Sequence, residues 1–127
     1  MPSSPKIPKE LILKTALQML IRSGNGAITI QSVARELKSS TQPLSWQFGN
    51  MENFRAALAE KALEYAVEKT NPRNAGTAFA AFKEVGDRYL DLAFDEPHLF
   101  RFVFLGESGL HREFHMFSML DSRRNES

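Results

Sequence analysis

The sequence predicts an all-α protein in which a three-helix N-terminal domain is followed by a short helical C-terminal module. Apolar residues recur every three or four positions along most of the chain, and polar breaks rich in Gly, Pro and Asn separate these segments. No segment alternates apolar and polar residues clearly enough to favour a strand. The chain has 127 residues, 43% hydrophobic and 24% charged, a globular composition that excludes wholesale disorder.

The first elements are an arm and a helix. Residues 1–8 contain three prolines, which predicts a flexible arm. The helix predicted over residues 9–23 has an apolar stripe formed by Leu13, Ala16, Leu17 and Leu20. Gly24 and Gly26 end it.

Two short helices follow. Thr29 is a good N-cap for a helix over residues 30–37. We expect Ser40 to cap a third helix over residues 40–48, with Pro43 in the first turn, where its missing N–H costs little. Leu44 and Phe48, four residues apart in this helix, are expected to point inward.

A fourth helix begins after Asn50 and runs to about Lys69, and the polar stretch at residues 71–76 predicts a linker. After the arm, the chain therefore divides into a helix-turn-helix domain with its connecting helix over residues 9–70 and a helical module over residues 75–127.

The C-terminal module is rich in phenylalanine. A fifth helix is predicted over residues 78–95, and Pro97 at a first turn favours a buried helix over the aromatic residues 98–105. We expect the eight phenylalanines from Phe79 to Phe117 to be core residues first, with a pocket or an interface for those that one small bundle cannot hide. A last amphipathic helix is predicted from the stripe Leu110, Phe114, Phe117 and Leu120.

Charge is divided unevenly along the chain. Residues 1–50 hold six Lys or Arg against two acids, a balance of +4, and residues 51–127 hold ten against thirteen, a balance of −3. A basic first half favours a polyanionic partner, although halves of this charge are also common in proteins that bind no nucleic acid.

Composition excludes several kinds of site. The absence of cysteine excludes disulfides and thiolate chemistry and fits a cytoplasmic location. No secretory signal and no apolar run of ~18 residues is present, so we expect no membrane partner. No catalytic constellation has supporting spacing, so we expect neither an enzyme nor a cofactor. His111 and His115 lie four residues apart, and we interpret them as a solvated pair rather than a metal site.

The second and third predicted helices have the proportions of a helix-turn-helix unit. The outward side of the third helix offers side chains that suit base edges or phosphates, namely Thr41, Gln42, Ser45, Trp46 and Gln47. Trp46 has two equal interpretations, contact with a sugar or base and coverage of the core beside Phe48. Spacing alone is a weak signal, because many proteins contain short helix pairs.

Three segments carry a family resemblance. They read ILxTALxML over residues 12–20, AITIxxVA over residues 27–34 and PLxWxFxNxExF over residues 43–54, with Gly24 and Ser40 between them. Together they resemble the N-terminal domain of the tetracycline-repressor (TetR) family of transcriptional regulators.

The resemblance implies a homodimeric repressor that binds a palindromic double-stranded DNA operator and releases it when a small molecule enters the C-terminal module. Residues 89–104 are similar, more loosely, to a stretch of the family's effector domain. The DNA-binding residues that we expect are Thr29, Lys38, Ser40, Thr41, Gln42, Ser45, Trp46 and Gln47. For a small hydrophobic effector we expect Phe82, Tyr89, Phe100 and Phe104, and for the dimer interface Leu110, Phe114, Phe117 and Leu120.

The chain departs from the family pattern. Lys38 stands where the family usually has Gly, Ser45 and Gln47 stand for Tyr and His, and Met51 stands where Lys is frequent. Phosphate contacts dominate DNA affinity, yet no basic residue lies between residues 39 and 52. The cations left for this role are Lys6, Lys9, Arg35, Lys38 and Arg55.

The module after the linker is also short for this family, so the chain is either a short member or a fragment. Two other functions stay open: a helical interaction protein that has lost operator binding, and a small-molecule-binding bundle with no DNA role.

Overall fold

The computed structural model describes residues 6–73 and 75–108, and all regular secondary structure in these ranges is helical. The α-helices are α1 Lys9–Ser23, α2 Ile30–Glu36, α3 Gln42–Phe48, α4 Met51–Thr70, α5 Ala78–Asp95 and α6 Pro97–Phe104, with a 3₁₀ turn at Asn25–Ala27. The all-α prediction is confirmed, including a helix rather than a strand after Pro97. The last helix predicted at residues 110–120 lies outside the described residues.

Side-chain caps mark the starts of α2, α4 and α5, and at α5 the Thr77 hydroxyl accepts from the Ala80 N–H at 3.1 Å. The Thr29 hydroxyl accepts a hydrogen bond from the Ser32 N–H, and the Ser32 hydroxyl accepts one from the Thr29 N–H, both at 2.9 Å. This reciprocal pair is a capping box at the start of α2. The Asn50 Oδ1 accepts from the Asn53 N–H at 2.8 Å and caps α4. The caps of α2 and α4 were expected from the sequence.

The start of α3 differs from the prediction. The helix begins at Gln42, and Thr41 occupies the N-cap position without a side-chain cap bond, so Ser40 is not the cap. The reason lies in the preceding turn, where the Ser39 N–H still donates to the Ala34 carbonyl at 2.9 Å. Because this bond belongs to the end of α2, the chain becomes available for a new helix only after Ser40.

One hydrophobic core joins all six α-helices, and α5 contributes Leu92 to it. Its largest fully buried side chains are Ile12, Leu20, Ile28, Val33, Leu44, Phe54, Leu58, Leu99 and Phe102. Phe48 packs edge-on against Phe54, with ring centroids 4.9 Å apart. Because Leu99 and Phe102 belong to α6, this helix packs back onto the N-terminal helices.

α5 departs from the expected core. Leu92 is its buried residue, whereas Phe79, Phe82 and Phe94 are 79%, 79% and 82% exposed. The expectation that these three rings are core residues is therefore wrong. Among the described residues, α5 packs against α4 and α6. Helical spacing defines an apolar face but does not determine which element covers it.

Candidate nucleic-acid interface

The outer side of α3 presents polar side chains and one large aromatic ring. Leu44 and Phe48 point inward and are buried, as expected. The side chains predicted to face outward, Thr41, Gln42, Ser45, Trp46 and Gln47, are all exposed. Trp46 is 75% exposed, so it does not cover the core beside Phe48. Its indole is available to a partner.

The turn before α3 contains an unusual backbone conformation at Lys38. Its φ is +56°, in the left-handed region that favours glycine. This conformation costs roughly 1–2 kcal/mol in a residue with a Cβ. The chain therefore has lysine at a position whose backbone suits the glycine of the family pattern. The Lys38 side chain is exposed beside α3.

Ile7, in the described part of the N-terminal arm (residues 6–8), lies against α3. The Gln47 Nε2 donates a hydrogen bond to the Ile7 carbonyl at 2.6 Å. The Lys9 ammonium lies 5.2 Å from the centroid of the Phe48 ring, a cation–π contact. These two contacts hold the exposed cations Lys6 and Lys9 beside a helix that has no basic residue of its own.

Thr29 and Ser40 lie near the two ends of the α2 segment and are exposed. The Thr29 hydroxyl takes part in the capping box, so it stabilises α2 in the free protein. The Ser40 carbonyl accepts a hydrogen bond from the Ser39 hydroxyl at 2.9 Å.

The two arginines that we expect to contact phosphate have different surroundings. Arg35 is exposed near the end of α2. Arg55 on α4 is partly buried, and its Nε has no hydrogen-bond partner among the described residues. Its remaining guanidinium nitrogens can still bind an anion at the edge of the core.

The residues expected at an effector pocket are only partly brought together. Tyr89, Phe100 and Phe104 form a three-ring cluster with centroids 4.9–5.1 Å apart. Burial raises the pKa of the Tyr89 phenol above its ordinary value. Phe82 is exposed and lies outside this group of ring contacts. The cluster is packed ring against ring at the α5–α6 contact.

A polar cleft between α4 and α5 was not foreseen. It has a volume of about 220 Å³ and is lined by Tyr65, Glu68, Lys69, Arg73 and Arg88. The Tyr65 hydroxyl donates to the Glu96 carboxylate at 2.6 Å. Burial, with the Glu96 hydrogen bond and charge, raises the pKa of Tyr65 to about 12. The spacing of Tyr65, Lys69 and Arg73, each four residues apart, was the signal available in the sequence.

The contact between α6 and the end of α1 was also missed. Gly24 has a φ of +89°, and a Cβ there would lie 2.9 Å from the Nδ1 of His98. Nearby, the Asn25 Nδ2 donates to the Glu107 carbonyl at 2.9 Å. The start and the far end of the α6 segment therefore both contact the chain that follows α1.

The described residues contain no helix long and apolar enough to cross a membrane and no group of three His, Asp or Glu that could hold a metal ion. The predicted dimer residues Leu110, Phe114, Phe117 and Leu120, and the pair His111 and His115, lie outside the described residues.

No family model, no curated protein and no solved structure matches this chain. Similarity to the TetR family therefore stays a prediction that depends on the segments over residues 12–20, 27–34 and 43–54.

Proposed function

We propose that this protein is a DNA-binding transcriptional repressor of the TetR type, which binds a palindromic operator as a homodimer and is released by a small-molecule effector. The observation that carries the proposal is the outer side of α3. It exposes Thr41, Gln42, Ser45 and Trp46 together, while Leu44 and Phe48 anchor the helix in the core. In the helix-turn-helix arrangement, α3 enters the major groove and α2 crosses the backbone.

The charges around α3 suit this role. Lys38 precedes the helix, and the contacts of Gln47 and Lys9 hold the basic arm against it. Base edges would be read by the neutral side chains of α3, and phosphates would be bound by cations on its flanks. The flanking cations would thus compensate for the absence of basic residues in α3 itself.

Release by an effector requires a mechanical link between the C-terminal module and α1. α6 supplies a candidate, because Leu99 and Phe102 are fully buried in the shared core and His98 packs on Gly24. A ligand that displaced the ring cluster of Tyr89, Phe100 and Phe104 would move α6 against α1.

A second function is favoured by one observation. No basic residue lies between Ser39 and Glu52, so the direct cationic contacts of α3 with phosphate are absent. A helical interaction or ligand-binding protein that has lost operator binding would have this sequence.

A mobility-shift assay on the DNA upstream of the protein's own gene, repeated at several salt concentrations, separates the two functions. The repressor should retard this DNA more strongly than a shuffled duplex of equal composition, with a log–log salt slope of several units. Equal retardation of both duplexes would indicate charge alone. No retardation at low salt would favour the interaction protein.

A further inference from the structure

α5 carries an exposed apolar face. Phe79, Phe82, Leu90 and Phe94 are 79%, 79%, 57% and 82% exposed, on the side away from the buried Leu92. Three phenylalanine rings exposed to this degree leave roughly 400 Å² of aromatic surface open. An apolar patch of this size is comparable to the largest patch of a typical monomer, which is often functional.

Gly86 lies in the middle of this face. A Cβ at Gly86 would meet no atom within 4 Å, so nothing among the described residues requires glycine there. Glycine in a helix interior costs about 1 kcal/mol relative to alanine. A glycine on an exposed apolar face also lets a second helix approach the backbone closely.

The apolar residues are spaced symmetrically about Gly86. Phe79 lies seven residues before it and Phe94 eight after it, while Phe82 and Leu90 lie four residues to either side. The pattern is therefore nearly the same when α5 is read in reverse. Two copies of α5 that cross antiparallel at Gly86 would bring Phe79 beside Phe94 of the other copy, and Phe82 beside Leu90.

The charged residues on the face agree with this crossing. Lys83 and Asp87 are exposed on either side of Gly86. In an antiparallel pair, Lys83 of one copy comes within reach of Asp87 of the other, and the two-fold axis repeats the contact. Opposite charges placed in this way favour one register and one orientation.

We propose that α5 is a homodimer interface, with a second copy of this chain seated antiparallel across Gly86. The four apolar side chains would bury roughly 500 Å² per copy, or about 1,000 Å² in total. Lys83 and Asp87 extend the contact toward the ~1,200 Å² of stable interfaces. The contact is isologous, with the same patch on both copies. The inference rests on the proposed repressor only in that a palindromic operator would match this two-fold axis. The interface itself follows from the residues of α5.

A cysteine at the crossing point tests the geometry directly. The chain has no native cysteine, so Gly86→Cys introduces a single thiol. Near the two-fold axis, the two thiols should form a disulfide between copies under mild oxidation. Val67→Cys is the control, because Val67 is 56% exposed and belongs to α4, outside the residues of the proposed contact. A Gly86→Cys dimer that does not crosslink, or equal crosslinking in the control, would overturn the proposal.

Sedimentation equilibrium gives a second test without cysteine. We expect the wild-type chain to be a dimer at micromolar concentration, and Phe82→Asp with Leu90→Asp to raise the dimer Kd at least about 30-fold. A wild-type monomer would overturn the interface.

Charge exchange tests the register. Lys83→Asp and Asp87→Lys should each weaken the homodimer, because each places like charges across the axis. A mixture of the two variants should form heterodimers, in which both contacts are attractive. Failure of the mixture to associate better than either variant alone would contradict the register. Loss of DNA binding by a chain that still dimerises would contradict the proposed function and leave this interface standing.

Discussion

In the proposed repressor, Lys38 would serve DNA binding at the expense of stability. Its backbone has a φ of +56°, while its side chain stands exposed beside α3. A lysine here supplies a cation where α3 has none, and the folded chain bears the strain.

Substitution of Lys38 separates these two effects. We expect Lys38→Gly to raise the free energy of unfolding by about 1 kcal/mol, because glycine adopts this φ without strain. Lys38→Ala should give no such gain. Both variants should lower the salt slope of DNA binding by about one unit. Chemical denaturation and salt-dependent binding measure the two effects, and a stabilised Lys38→Gly with an unchanged slope would exclude the phosphate contact.

Gln42 is the residue that we expect to read a base, because it opens α3 and is exposed. A bidentate contact with adenine contributes ~1–3 kcal/mol of discrimination. Gln42→Ala should therefore weaken binding by this amount at one base position and relax the preference there. Gln18→Ala, an exposed glutamine on α1, is the matched control. Binding to a set of single-base operator variants decides the question, and uniform loss on all of them would remove the base-reading role.

Tyr65 should make stability depend on alkaline pH. Its pKa is about 12 in the folded chain and near 10 in an unfolded one. A raised pKa means that the stabilisation is complete below about pH 10 and is lost as the pH rises toward the folded value. The free energy of unfolding should fall over this interval, and Tyr65→Phe should remove this component. An identical alkaline decline in both proteins, measured by urea denaturation, would assign it to other groups.

At the scale of the elements, side-chain caps mark the starts of α2, α4 and α5, whereas α1, α3 and α6 begin without one. The hydroxyl of Thr29 completes a capping box, whereas Ser40 makes no cap at all. The sequence could predict the first because Thr, whose hydroxyl oxygen can accept a backbone N–H, directly precedes an apolar-periodic segment. The prediction for Ser40 was wrong because the Ser39 N–H donates to the Ala34 carbonyl at the end of α2. Composition does not indicate a backbone hydrogen bond of this kind.

The two positions give a paired prediction. Thr29→Ala should lower the free energy of unfolding by about 1 kcal/mol, since the Ser32 N–H loses its side-chain partner. Ser40→Ala should change it by less than about 0.5 kcal/mol, as expected for a surface residue without a cap role. Thermal or chemical denaturation of the two variants measures the difference. A Thr29→Ala variant that loses no more stability than Ser40→Ala would contradict a stabilising role specific to the capping box.

The helices themselves were predictable from periodicity, and the partner of each apolar face was not. Leu44 and Phe48 were correctly assigned to the core because a short helix with two apolar residues must bury them. Phe79, Phe82 and Phe94 have the same helical spacing yet remain exposed. Burial depends on which element lies opposite, and that information comes from the packing of the whole chain.

At the scale of the whole molecule, α6 connects the two halves of the chain. Phe102 shares a core with Ile12, and His98 packs on Gly24, although these residues are far apart in the sequence. Such contacts lack a local signal and could not be predicted from spacing. The exposed polar side chains of α3 could be predicted from the sequence, because the apolar face of a short helix determines which residues face outward. The contact of the arm with α3, through the hydrogen bond from Gln47 to the Ile7 carbonyl, could not be predicted.

The most direct test of the central claim uses the single tryptophan of the chain. Trp46 is 75% exposed on the outer side of α3, so a DNA duplex bound by this helix should change its surroundings. We predict that duplex DNA from the upstream region quenches Trp46 emission in a saturable way, and that added salt reverses the quenching. Emission that stays constant while labelled DNA becomes bound, or a chain that binds no DNA at low salt, would contradict the assignment of α3 as the DNA-reading helix.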